Sequence, residues 1–173
     1  MRAQENSVYI KKIRIPHFSP SVHPHFCIFS TSFHPMPYSI TLKVRDYECD
    51  LQGIVNNANY QHYLEHARHE FLRSYNVSFA DLHNRGIDAV VARITMAFKT
   101  PLTSGDSFRC TVEVKKEGIK YVFTQNIYRA SDDKLVLKAS VETVCLVNGR
   151  LKECEELDEI FFGPYSAYAP SAN

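Results

Sequence analysis

One stretch of this chain repeats with the period of a helix, and the stretches around it repeat with the period of a strand. Tyr60, Leu64, Ala67, Phe71 and Tyr75 form a single apolar stripe on a helix running from about Ala58 to Tyr75. Before it, Tyr38 to Asp46 alternates, with Tyr38, Ile40, Leu42 and Val44 on one face. After it come four strand-like segments. Val90, Ala92, Ile94, Met96 and Phe98 share one face of Ala89 to Lys99. Phe108, Cys110, Val112 and Val114 do the same in Ser107 to Lys115. Tyr121 to Ala130 is β-branched and aromatic, with mixed faces. Leu135, Leu137, Ala139, Val141, Cys145 and Val147 line one side of Leu135 to Val147. The separators Ser104-Gly105-Asp106, Glu117-Gly118, Asp132-Asp133 and Asn148-Gly149 are turn formers. Pro101 closes its strand because it cannot donate to a ladder.

An antiparallel sheet with one apolar face needs one cover, and this chain has one long helix to supply it. The pattern predicts an α+β domain, a helix lying along a curved sheet of five or more antiparallel strands. Ser78 to Arg85 reads as a second, short helix ended by Gly86. Leu151 to Ile160 is acidic and reads as a last edge strand or a loose segment. The expected division is an extension over 1–36, a single domain over 37–160 and a tail over 161–173.

At 173 residues the chain suits one domain with a core large enough to fold alone. A formal net charge of +1 points to neither nucleic acid nor a membrane surface as partner. No run of about 18 apolar residues is present to span a membrane. The five cysteines, Cys27, Cys49, Cys110, Cys145 and Cys154, are odd in number and contain no C-x-x-C pair. They read as free thiols in a reducing compartment, which makes a cytoplasmic location the expectation. The first 35 residues are basic and rich in His, Ser and Pro. They read as a disordered extension, as sequence upstream of a natural start at Met36, or as an organelle transit peptide.

The chemistry concentrates between the first strand and the helix. Asp50 sits in a tight polar loop with Gly53, and Asn56 and Asn57 lead into the helix, either of them a fitting N-cap. The loop thus brings a carboxylate close to the unpaired N–H groups of a helix start, which suit an oxyanion. Asp50 can serve as a base or nucleophile, or simply bond its own backbone in the turn. Gly53 lets the loop pass close to a ligand or simply makes the turn tight. Asp46 and Glu48 are expected to be solvated, and no lysine adjoins Asp50 in sequence to pair with it. His62, Glu65 and His66 spell H-x-x-E-H, a zinc-protease motif, but no third ligand is identified and the expectation is no metal. Cys49, with His62 or His66 as base, lacks an orienting third group.

Asp50, Gly53, Ile54-Val55 and Asn59-Tyr60, with the helix behind them, resemble the hotdog-fold thioesterases of the 4-hydroxybenzoyl-CoA thioesterase type. The wording VRDYECDLQGIVNNANY, followed by RHEFL, is more similar still to the bacterial and plant acyl-thioesterase branch. The resemblance runs from about Tyr38 to Val147. It implies a hotdog fold and hydrolysis of an acyl thioester, with acyl-CoA as substrate or, alternatively, an acyl carrier protein. Asp50 falls on the family's catalytic acid. Asn57 falls on the position whose backbone N–H polarises the thioester oxygen. Tyr60 and Tyr63 would border the acyl group, and Lys115, Lys116 and Lys120 the phosphates of coenzyme A. The resemblance also implies a homodimer or homotetramer and requires no cofactor beyond the coenzyme A of the substrate. A non-catalytic acyl-CoA-binding module and a dehydratase are the competing readings.

Overall fold

The computed structural model describes residues 37–163. The elements follow in the order β1 (Tyr38–Lys43), α1 (Asn59–Arg73), α2 (Phe79–Asn84), β2 (Ile87–Phe98), β3 (Ser107–Glu117), β4 (Lys120–Arg129), β5 (Leu135–Val147), β6 (Arg150–Leu151) and α3 (Glu155–Phe162). A single 3₁₀ turn, Asp46–Glu48, follows β1. The strands form one antiparallel sheet in the order β1-β3-β4-β5-β2, and the short β6 pairs with β5. The chain therefore leaves the sheet at one edge, runs through α1 and returns as the other edge. α1 lies on the apolar face between these edges, the helix-on-sheet layering expected from the pattern.

Burial explains why α1 holds that place. Tyr60, Tyr63, Leu64, Ala67, Phe71 and Leu72 are all buried on it. They meet Phe108, Cys110 and Val112 of β3, Phe123 and Ile127 of β4, and Leu137, Ala139 and Val141 of β5 in one core. The Tyr63 ring packs on Phe108 with centroids 4.7 Å apart, and Phe71 stacks on Phe161 at 5.8 Å. α2 begins with a capping box. Ser78 Oγ accepts from the Asp81 N–H, and the Asp81 carboxylate accepts from the Ser78 N–H. Gly86 follows it at φ +75°, a conformation open to glycine. Asn148 and Gly149, both at positive φ, turn β5 into β6 as an Asn-Gly pair does in a tight hairpin.

Two expectations change. The pairing of β2 with β5 slips between Val91 and Arg93, so a bulge separates the two halves of β2. Ile87, Ala89, Ile94 and Met96 pack toward the core, whereas Val90 and Val91 stand exposed. The single apolar face expected from Val90 to Phe98 does not exist, because the extra residue inverts the alternation. The acidic segment near the C-terminus is the second change. It gives a two-residue strand and then α3, in which Leu157 and Phe161 are buried one turn apart. The ordered domain continues past Ile160, where the tail was expected to begin. Phe161 stacks with Phe71 and sits edge-on to Tyr121 and Phe123. Lys116 Nζ, 2.5 Å from Asp158, and the Tyr121 hydroxyl, which donates to Asp158 at 2.8 Å, fix the helix to the β3–β4 hairpin.

The four described cysteines are free. Cys27 and the rest of the expected extension lie outside the described residues. No described helix is long and apolar enough to cross a membrane. If α3 belongs to the core, Phe161→Ala will lower stability by about 3–5 kcal/mol, the range for emptying a buried aromatic site. Urea unfolding of the full chain checks this, and a change under ~0.5 kcal/mol would assign the segment to a dispensable tail.

Candidate functional site

The loop after β1 is held by its backbone. Cys49 and Val55 form an isolated bridge, as do Ile54 and Thr103. Within the turn, the Asp50 N–H donates to Ile54 O at 2.9 Å and the Gly53 N–H to Asp50 O at 3.0 Å. Gly53 takes φ +75°, with nothing within 4 Å of the place a Cβ would occupy. Its conformation, not crowding, makes glycine the fitting residue. The Val55 N–H donates to Leu102 O, and the Asn56 N–H to Glu48 O, both at 2.9 Å. The loop is thereby laid against the turn that precedes β3.

Glu48 makes the tie between loop and helix. It is 7% exposed, so the expectation that it is solvated fails. Its carboxylate accepts from the Tyr63 hydroxyl at 2.7 Å, the Arg45 N–H at 2.7 Å and the Arg45 guanidinium at 3.1 Å. Its backbone carbonyl accepts from Asn59 Nδ2 at 2.7 Å. Burial pushes the carboxyl pKa up, but these donors outweigh it and hold the group below the usual glutamate value. Tyr63 is thus occupied. Its hydroxyl serves Glu48, its pKa is driven up by burial and by that carboxylate, and its ring is absent from the cleft wall. A substrate contact by Tyr63 is not part of this geometry. Asp46 is exposed and its carboxylate accepts from Ser104 Oγ.

The resulting cleft has a volume of about 370 Å³. Asp50, Asn57 and Tyr60, singled out from the sequence, line it together with Ile54, Val55 and Phe98 to Pro101. Asp50 Oδ1 accepts from the Gln52 N–H at 2.9 Å, so the turn-forming reading of Asp50 also holds. Oδ2 takes no part in that bond. With its amide nitrogen turned toward the carboxylate, Gln52 reaches Oδ1 and Oδ2 at 2.8 and 3.0 Å. The N-cap of α1 is Ala58, without a side-chain cap, rather than Asn56 or Asn57; Asn56 Oδ1 instead accepts from the Ala58 N–H at 3.0 Å in an Asx turn leading into the helix. The Asn57 N–H makes no hydrogen bond among the described residues. Tyr60 is buried beneath the cleft, edge-on to Phe98 at 5.4 Å. Asp50 and Asn57, whose N–H is unpaired among the described residues, therefore line one cavity just ahead of α1.

Sequence reasoning missed Gln52, Phe98 and Lys99. Lys99 is exposed in the cleft wall and forms no ion pair among the described residues. Lys99, just past the end of β2, is the basic residue that lines the same cleft as Asp50, without an ion pair between them. The hairpin lysines do not join this site. Lys43, at the loop end of β1, pairs with Ser107, whereas Lys115 to Lys120 sit at the far end of β3. Some ten residues of strand, about 33 Å, separate the two ends. Lys115 pairs with Glu117 at 2.5 Å, Lys116 with Asp158, and Lys120 with Glu142 at 2.6 Å. His62, Glu65 and His66 are all exposed on α1, and no three potential metal ligands cluster among the described residues. Cys49 is half-buried against the core and bonds to no histidine among the described residues.

The model of the family described as the thioesterase-like superfamily matches residues 44–159. The chloroplastic acyl-acyl carrier protein thioesterase ATL3 of Arabidopsis thaliana is 35% identical over 112 residues, 64% of this chain and 59% of that protein. The chain thus spans about three fifths of the length of this plant relative. The acyl-CoA thioester hydrolase YbgC of an Escherichia coli O6:H1 strain is 31% identical over 100 residues, 57% of this chain and 74% of that one. The crystal structure of a hypothetical protein from Aquifex aeolicus superposes with a TM-score of 0.68 at 28% identity, covering 72% of this chain and 98% of that one.

The Glu48 tie has a sign in pH. A carboxyl held below its ordinary value stabilises the fold above that value, about 4.3, and the contribution is lost as pH falls through the lower folded value. Glu48→Ala leaves the buried Tyr63 hydroxyl unpaired and is expected to lose about 1–3 kcal/mol at pH 7. In thermal unfolding from pH 7 to pH 3, the parent and Glu48→Ala curves should converge at the acid end. A constant gap across that range would contradict the assignment.

Proposed function

Because the chain belongs to the thioesterase-like superfamily and has its hotdog fold, we propose that it hydrolyses an acyl thioester to a free acid and a thiol. The observation that supports this reading is the cleft that Asp50 and Asn57 line together just ahead of α1. A thioester carbonyl is electrophilic and its thiolate leaves readily, so one carboxylate suffices. Asp50 takes a proton from water as the water oxygen bonds to the carbonyl carbon. The charge that develops on the carbonyl oxygen lies at the Asn57 N–H, where one preset donor contributes about 3–4 kcal/mol to the transition state. Collapse breaks the C–S bond, and the proton held by Asp50 passes to the departing sulfur. Direct attack by the carboxylate, through an anhydride, is the second reading, and single-turnover hydrolysis in ¹⁸O-water separates the two by labelling Asp50 only in the latter.

Gln52 holds the carboxylate in place through its amide nitrogen, and Tyr60 with Phe98 makes the apolar floor. Lys99 is the cation positioned to meet the phosphates of the carrier. Coenzyme A and acyl carrier protein present the same phosphopantetheine arm, so this cleft chemistry serves either. Lys115, Lys116 and Lys120 would reach a bound phosphate only from a second copy, after leaving their present partners. That copy has a place to join. β2 is a twelve-residue edge strand whose Val90 and Val91 are 37% and 45% exposed. A row of unpaired backbone groups with apolar side chains invites strand pairing. We assign β2 as the seam of a homodimer. The cytoplasm is the expected location, with an organelle the alternative if residues 1–35 act as a transit peptide.

Asp50→Asn should lower kcat on acyl-CoA by about 10²–10⁴-fold, the usual contribution of a positioned base. Release of free thiol reports the rate; an unchanged kcat would remove Asp50 from the chemistry, and a parent that releases no thiol would leave a non-catalytic binding module as the reading. Lys99→Ala should raise KM with little change in kcat, and comparing acyl-CoA with acyl carrier protein identifies the carrier. Light scattering should give at least twice the chain's 19.9 kDa, and Thr95→Pro in β2 should shift that mass toward the single chain. A monomeric parent would exclude the seam.

A further inference from the structure

A second cavity, of about 210 Å³, lies between the later turns of α1, the start of β2 and α3. It shares no lining residue with the Asp50 cleft. Phe79, Ile87, Phe123, Leu157 and Phe161 give it apolar walls. Arg68 enters it from α1 although only 7% exposed. The guanidinium donates from Nη1 to Gln125 Oε1 at 2.9 Å and forms no ion pair among the described residues. Gln125 is itself fully engaged, since Nε2 donates to Leu64 O at 3.0 Å. Arginine carries five N–H donors in a fixed fork and stays charged at any working pH. Most of that fork is therefore without a partner, in surroundings where an isolated charge is poorly tolerated. Thr143 of β5 lines the same cavity, and its buried hydroxyl has no hydrogen-bond partner among the described residues.

We propose that this cavity binds the carboxylate of a small acid with a compact apolar or aromatic body, with Arg68 as the counter-charge and Thr143 as a second donor in the wall. The fork of a guanidinium matches a carboxylate in two parallel hydrogen bonds. Four other titratable groups line the cavity, Glu65, His69, Asp88 and Tyr121, and none forms an ion pair with Arg68 among the described residues; the Tyr121 hydroxyl is engaged with Asp158. Glu65 stands 3.9 Å from His69, and Asp88 stands 2.6 Å from His83. Both carboxylates are on the solvent side, 56% and 38% exposed, where water and salt screen them. The volume falls below the roughly 300 Å³ at which sites for drug-sized ligands begin, which selects a short acid. Such an acid is the product class of the hydrolysis proposed above. That link alone rests on the proposed function, and the site does not.

Calorimetric titration of the full chain with phenylacetate and with its neutral amide, phenylacetamide, tests the site. Phenylacetate should bind saturably at one site per chain, and the amide roughly tenfold or more weakly, for want of the charge-assisted pair. Arg68→Met should abolish binding of the acid, Thr143→Val should weaken it several-fold, and Asp50→Asn should leave it unchanged. Equal binding of acid and amide would overturn the proposal. So would binding that survives in Arg68→Met, binding lost in Asp50→Asn alone, or no saturable binding by the parent in the millimolar range. Should Arg68→Met not fold, Thr143→Val and the acid-against-amide comparison decide. Thiol release measured on the same samples keeps the two readings apart. Acid binding without hydrolysis sinks the proposed function, and hydrolysis without acid binding sinks this inference.

Discussion

The hydrogen bonds that Glu48 collects from Arg45 and Tyr63 join two parts of the chain that sequence leaves independent. On one side is a turn only three residues long. On the other is a helix whose position is dictated by the sheet beneath it. Tyr63 belongs to both, since its ring packs on Phe108 while its hydroxyl reaches Glu48. The core therefore fixes the ring, the ring fixes the carboxylate, and the carboxylate fixes the loop that carries Asp50. Glu48 O adds a second tether by accepting from the Asn59 side chain and the Asn56 N–H. A loop that carries a functional group needs it held within fractions of an ångström, and buried charge-assisted hydrogen bonds supply that restraint better than surface contacts do.

The elements that bury a regular stripe were legible in the sequence. α1 follows from Tyr60, Leu64, Ala67 and Phe71, and β5 from the alternation between Leu135 and Val147, because one period and one buried face leave little choice. The signal failed where period and burial part company. The bulge in β2 adds a residue that no local pattern announces, so the outward and inward sets exchanged places halfway along the strand. α3 was masked by Glu155, Glu156, Asp158 and Glu159, although Leu157 and Phe161 already stood at the i, i+4 spacing of a helix face.

The site shows the same division. That Asp50 and Asn57 come to line one cleft was legible because loop and helix start are contiguous in sequence. Lys99 and Phe98 were not, since they come from the end of a strand more than forty residues away and meet the loop only through the Ile54–Thr103 bridge and the Val55–Leu102 hydrogen bond. Glu48 was misjudged for a related reason. It stands among the exposed Arg45, Asp46 and Tyr47, and the partner that takes it out of water lies fifteen residues further on. Tyr63 and the hairpin lysines show the converse. Each suited a ligand by residue type, and each is already satisfied within the chain.

The bared margin of β2 has a consequence for how this protein would be handled and how it would age. Whatever pairs with that strand enters the folding equilibrium as a ligand of the native state, so thermal endurance would rise and fall with the amount of protein present. Dilution would expose a ribbon of backbone able to recruit strands from damaged or half-made neighbours. The bulge tempers that hazard, since a kinked margin offers a poorer template than a straight one, and the same irregularity that hid the strand's true face from its sequence would help keep the protein from clumping.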